Sequence, residues 1–234
     1  MTAVLARAEA LLRPRVGERL LVDEPLGVRT TYRVGGNAAL LLEAATVDDL
    51  RAARDAVVAT GVDVLVVGKG SNLLVADRGF DGLAVVLGDG FAAVEVDGTT
   101  VRAGAAAALP VVARRSVAAG LAGYEWAVGV PGSIGGAVRM NAGGHGADTA
   151  ATLVGVRVLD LAGGEDGDVP AARLDLGYRH SAVGPTTVVL EATIDLREGD
   201  QAAGEAQLAE IVRWRREHQP GGPNAGSVFT NPPD

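Results

Sequence analysis

The chain has 234 residues, 48% hydrophobic and 21% charged, enough for one large domain or two small ones and unlike the composition of a disordered chain. Its net charge of −8, with no dense cationic cluster beyond Arg213, Arg215 and Arg216, argues against a nucleic-acid surface built on counterion release. The absence of cysteine excludes disulfides, thiolate metal sites and thiol nucleophiles, and Arg7, Glu9 and Arg13 interrupt the first apolar stretch, so a cytoplasmic protein without membrane insertion is expected.

Residues 3–12 carry helical spacing, and a polar approach containing Gly and Pro leads to Thr30–Gly36. Ala39–Ala45 reads as a strand. Thr46 then opens a helix with Asp48 and Asp49 in its first turn, where carboxylates suit unpaired N–H groups, and Gly61 ends it. Val62–Val67 is almost wholly apolar and β-branched, as a strand covered on both faces would be. Leu73–Ala76 and Leu83–Leu87 are also strand-like, and Val94–Val101 alternates around Asp97-Gly98 as a hairpin does. A helix over Leu109–Ala119 closes at Gly120, whereas 121–147 is glycine-rich with few periodic signals. Strands resume at Leu153–Leu161 and Thr187–Leu196, and Gln201–His218 forms the last helix. No internal repeat is present, and the order of elements predicts an α+β fold with a boundary near residue 93.

Glycine points toward function. The chain has 33, about twice the average usage of ~7%, gathered at 68–70, 129–146 and 221–226. In Val66-Val67-Gly68-Lys69-Gly70-Ser71-Asn72-Leu73, a glycine turn leaving a buried strand can aim backbone N–H groups at a phosphate. It is neither the dinucleotide fingerprint, whose third glycine would fall at Leu73, nor a P-loop. A tight turn without ligand is the alternative. A second loop, Gly129-Val130-Pro131-Gly132-Ser133-Ile134-Gly135-Gly136, continues to Asn141-Ala142-Gly143-Gly144-His145-Gly146; it fits either a ligand-touching backbone or a packed Ω-like loop. His145 and His180 have no partner spacing for a metal and read as structural or solvent-facing.

Five segments in order carry a resemblance: Thr31-Tyr32-Arg33-Val34-Gly35-Gly36, Val67–Leu74, Pro131–Gly136 through Met140-Asn141-Ala142-Gly143, Tyr178-Arg179-His180-Ser181, and Ala225-Gly226-Ser227-Val228-Phe229. Together they resemble the bacterial UDP-N-acetylenolpyruvoylglucosamine reductase (UDP-N-acetylmuramate dehydrogenase) family from about residue 25 to the end. Leu196–Asp200 runs directly into the last helix, as in the family's shorter subgroup. The resemblance implies an FAD-binding fold of the p-cresol methylhydroxylase type, with two α+β subdomains and the start of a third, substrate-binding domain. Residues 1–27 would be an N-terminal segment, 28–93 and 94–199 the subdomains, and 200–234 a helix and the truncated start of the third domain.

The same resemblance implies which residues meet the cofactor. Gly68, Lys69, Gly70, Ser71, Asn72 and Leu73, with Pro131, Gly132, Ser133, Ile134, Gly135 and Gly136, would approach the FAD pyrophosphate and ribityl chain. Tyr32, Gly35, Asn141 and Gly146 would lie near it. NADPH would give hydride to the flavin, which would pass it to the enolpyruvyl group of a UDP-sugar in peptidoglycan precursor synthesis. Arg179 would stabilise the developing negative charge, Ser227 would deliver the proton, and Asn231 would sit near the substrate diphosphate. His218 and Thr230 stand where basic residues are usual. No late glutamate follows, which leaves an FAD-binding remnant without reductase activity as the alternative function.

Overall fold

The computed structural model describes residues 2–219, 221 and 222. Helix α1 (Ala3–Val16) starts at Thr2, whose hydroxyl accepts from the Leu5 amide, and buries Leu5, Ala8, Leu12 and Val16 along one stripe. That stripe packs with helix α2 (Val47–Thr60), which opens on a capping box between Thr46 and Asp49. The Asp49 carboxylate accepts from the amides of Ala45 at 2.8 Å and Thr46 at 3.1 Å and from Arg19 at 2.6 Å. Burial pushes this carboxyl's pKa up, but the Arg19 guanidinium and the two amides outweigh it and hold it below its ordinary value. Gly61 ends α2 in the left-handed region at φ +67.

Both helices cover one face of a sheet made of β1 (Leu20–Pro25), β2 (Asn37–Ala44), β3 (Val64–Val67) and β4 (Phe80–Leu87). Its order is β1-β2-β4-β3, with β1 antiparallel to β2 and the other pairs parallel. Alternation along the strands sends Leu40, Leu42, Leu83 and Val85 toward the helices and Leu41 and Ala84 to the opposite side, against Leu26 and Val75.

A second, antiparallel sheet contains β5 (Val94–Asp97), β6 (Thr100–Gly104), β7 (Leu153–Asp160), β8 (Asp166–Pro170) and β9 (Thr187–Asp195), in the order β8-β7-β9-β6-β5. The β5–β6 hairpin turns at Gly98, φ +56, with Asp97 paired to Thr100. Helices α3 (Leu109–Ala118), α4 (Ile134–Met140) and α5 (Gln201–His218) join a core with Val101, Ala103, Val158 and Ile194. Leu159, Val188 and Leu190 face the other way and pack into the core of α1 and α2, so the two sheets share buried side chains.

Four local expectations change. Leu73–Ala76 is not a strand: the chain is irregular there because Gly36 donates to the Ala76 carbonyl at 2.9 Å and Val75 is drawn beneath Gly35. β3 is not covered on both faces, since Val64, Leu65 and Val66 border a cavity and are half-buried. Residues 121–147 are not featureless; they hold α4, whose Gly135-Gly136 pair erases the side-chain period that would announce a helix. Besides four two-residue strands, β1 and β8 lie outside the expected set, and each is a sheet edge: β1 is half apolar with Leu20 buried, and β8 is mostly polar and buries Val169 alone.

Candidate functional site

Between the two sheets lies a cavity of about 430 Å³. One wall is β3 and the carboxyl end of β4, the other is Ala105–Ala106, the start of α4 and Val183–Val189. Parallel strands leave their ligand crevice at their carboxyl ends, and β3 runs there into Gly68 and Lys69. Most of the lining is apolar, yet three cations, Arg29, Lys69 and Arg139, reach it while no carboxylate residue does. In a chain of net charge −8, that segregation suits an anionic ligand with a large apolar portion.

Several lining groups have unused hydrogen-bonding capacity. Ser133 is 3% exposed, and its hydroxyl has no partner among the described residues. Arg29 bonds Glu43 at 2.7 Å and Glu24 at 3.4 Å, but its buried Nε has no partner. Lys69 and Arg139 form no ion pair among the described residues.

The two glycine-rich loops meet here. The Ser71 hydroxyl donates to the Pro131 carbonyl at 3.1 Å. A Cβ on Gly68 would stand 2.9 Å from Ser133 Oγ, and one on Gly136 would stand 3.7 Å from the same oxygen and meet nothing nearer. Gly68, Ser133 and Gly136 thus converge on the cavity wall. Other glycines serve backbone crossings instead: a Cβ on Gly70, φ +64, would lie 2.2 Å from the Arg29 carbonyl, and one on Gly35, φ +109, 2.4 Å from the Val75 carbonyl.

Of the residues expected at the cofactor, Gly68, Lys69, Ser133, Gly135 and Gly136 line the cavity. Gly70, Ser71, Asn72, Leu73, Pro131 and Gly132 belong to the same two loops without lining it, and Tyr32, Gly35 and Gly146 lie outside it. Ile134 is buried at 1% exposure, and the amides of Ile134 and Gly135 already donate to the carbonyls of Ala107 and Ala105. Asn141 is likewise buried, with its amide bonded within the protein. Arg29, Arg139 and Val183–Val189 escaped the sequence analysis. A signal existed for Arg139, which falls three residues after Gly136 on the face that begins at Ser133; Arg29 sits just ahead of the Thr31–Gly36 segment.

Arg179 stands on a tight turn in which Gly177 and His180 exchange both backbone hydrogen bonds at 3.1 Å. Its φ is +55, its side chain is exposed, and its guanidinium lies 5.3 Å over the Tyr178 ring with no carboxylate partner among the described residues. His180 Nε2 lies 3.3 Å from Asp175 Oδ2, and His145 meets Trp214 of α5 edge-on. Among the described residues no group of three or more His, Asp or Glu could hold a metal, and no helix is long and apolar enough to cross a membrane. Ser227 and Asn231 lie outside the described residues.

A family described as FAD binding domain matches residues 38–166. UDP-N-acetylenolpyruvoylglucosamine reductase of Paramagnetospirillum magneticum is 45% identical over 220 residues, covering 94% of this chain and 71% of that protein. The chain belongs to the UDP-N-acetylenolpyruvoylglucosamine reductase family. The protein of that name from Caulobacter sp. is 42% identical, with 94% and 72% covered. A crystal structure of the Thermus caldophilus reductase superposes with a TM-score of 0.78 at 32% identity, over 91% of this chain and 74% of that one. The grass-pollen protein Phl p 4, a glucose dehydrogenase, shares the fold alone, with a TM-score of 0.60 at 17% identity over 84% of this chain and 44% of that one. The family's fold is the α+β, p-cresol methylhydroxylase-type FAD-binding arrangement seen here as two sheets with a cavity between them.

The residues present fit FAD. Lys69 and Arg139 would supply charge for a pyrophosphate, Ser133 and the Arg29 Nε would supply unpartnered donors, and the valines and Leu65 of β3 with Val189 would supply apolar walls for flat rings.

Proposed function

We propose that this chain is an NADPH-dependent FAD enzyme that reduces the enolpyruvyl group of UDP-N-acetylenolpyruvoylglucosamine to give UDP-N-acetylmuramate, in peptidoglycan precursor synthesis in the cytoplasm. The observation that carries the reading is the cavity lined by three cations and no acid, set between two glycine loops in a chain of this family. Bound FAD supplies a carrier for hydride taken from NADPH and delivered to the enolpyruvyl double bond.

This chain's own residues do the rest. Gly68 and Gly136 leave room at the wall for the pyrophosphate and ribityl chain, and Lys69, Arg29, Arg139 and Ser133 bind and orient them. Arg179 binds the enolpyruvyl carboxylate and stabilises the charge that grows on it as hydride arrives at the adjacent double bond. Its lack of a carboxylate partner among the described residues leaves the guanidinium available for an anion. Ser227 returns a proton to the resulting carbanion-like carbon, and Asn231 holds the substrate diphosphate. Residues 28–93 and 94–199 act as the FAD-binding subdomains, with 200–234 leading toward the substrate.

The FAD-loaded chain, given NADPH, is expected to oxidise it in proportion to added UDP-N-acetylenolpyruvoylglucosamine. Protein that binds FAD and is reduced by NADPH, yet consumes none of that substrate, would replace this proposal with that of a flavin-binding protein lacking reductase activity.

A further inference from the structure

The turn carrying Arg179 is exposed, its local ties are the Gly177–His180 backbone pair and the His180–Asp175 contact, and Arg179 itself occupies the left-handed region. Its anchor is Asn141, 38 positions earlier by residue number, at the C-terminus of α4. Asn141 is 3% exposed and also left-handed, with φ +40. Its Nδ2 donates to the Gly177 carbonyl at 3.0 Å and to Asp148 Oδ2 at 3.1 Å, while its Oδ1 accepts from the Ala150 amide at 2.9 Å. Both amide protons and the oxygen are therefore committed inside the protein. A second tie joins the same two elements, since the Ser181 hydroxyl donates to the Arg139 carbonyl at 2.8 Å. Helix α4 begins with Ser133 and Gly136 on the cavity wall and ends by gripping the Arg179 turn from both sides.

From this geometry we infer that Asn141 is a positioning residue for Arg179, fixing the guanidinium relative to the cavity, and not a ligand of the cofactor. The inference rests on the role proposed above for Arg179. A buried amide suits the task because a displacement of about 1 Å at a charge-stabilising group lowers turnover by about a hundredfold.

Asn141→Gly tests it, since glycine keeps the left-handed backbone while deleting the amide. In the FAD-loaded full chain, hydrogen–deuterium exchange at residues 177–180 should rise at least about tenfold, with exchange in β7 and β9 unchanged. FAD affinity and the rate of flavin reduction by NADPH should stay within about twofold, while kcat with the enolpyruvyl substrate falls by about ten- to a hundredfold and its KM rises. Asn141→Asp, which keeps the acceptor for Ala150 but removes the donor to Gly177, should raise the same exchange. Weakened FAD binding with unaltered exchange at 177–180 would overturn the inference and make Asn141 a cofactor ligand. Unaltered exchange and unaltered turnover would overturn it as well. A wild-type chain that binds FAD but never turns over would instead sink the proposed function, and exchange at 177–180 would still decide whether Asn141 holds the turn.

Discussion

The glycine loops beside the cavity and the turn that bears Arg179 are held by opposite means. In the loop after β3, backbone lies against backbone so closely that a side chain is excluded: Gly70 stands against the Arg29 carbonyl. The Arg179 turn is open to solvent and is tied from a distance by the side chains of Asn141 and Ser181. The difference separates two jobs. A cofactor wall needs a surface of fixed shape, whereas a group that meets substrate needs exposure together with fixed position.

Substitutions should separate these regions, beginning with the most damaging. Gly70→Ala places a Cβ where the Arg29 carbonyl stands, at a φ of +64, and should cost about 3 kcal/mol or more, seen as a much lower urea midpoint and no retained FAD. Arg179→Ala should lower kcat/KM by about a hundred- to a thousandfold while leaving the urea midpoint in place, because the side chain is exposed and has no ion pair among the described residues. If instead it unfolds the protein, the turn is structural and the contrast fails.

Away from both regions, Asp49→Ala should cost about 2 kcal/mol by removing a capping box and a charge-assisted bond. The folded Asp49 carboxyl is held below its ordinary pKa. Its stabilisation is therefore fully present above that ordinary value and lost as pH falls through the folded one, so denaturation midpoints of wild type and variant should converge on acidification. Cofactor affinity at neutral pH should not change. The smallest effect sharpens the contrast most: Gly136→Ala meets only Ser133 Oγ at 3.7 Å, so stability should hold or rise slightly in this helical position, while FAD affinity falls about tenfold, or about 1.4 kcal/mol. Loss of stability there would class Gly136 with Gly70.

The contrast also explains what could be read from the amino-acid order. Cap residues and alternation announced α2, the β5–β6 hairpin and α5, because those signals are local. Gly68 and Gly136 drew attention because glycine clusters stand out against periodic neighbours. Helix α4 was hidden by its Gly135-Gly136 pair, and strand β8 by its polar edge composition. Nothing local ties Asn141 to Gly177 or brings Arg29 beside Lys69; such contacts exist only once each sheet has assembled with its own loops. Asn141 accordingly reads as a cofactor contact by motif, while its hydrogen bonds point to a structural partner.

FAD should occupy the crevice between the sheets with its pyrophosphate against Gly68, Lys69, Ser133 and Gly136. A crystal structure of the protein with FAD tests this most directly. The flavin dinucleotide is expected in that crevice, within reach of Arg29 and Arg139. FAD bound elsewhere on the chain, with the crevice filled by the protein's own side chains, would contradict it.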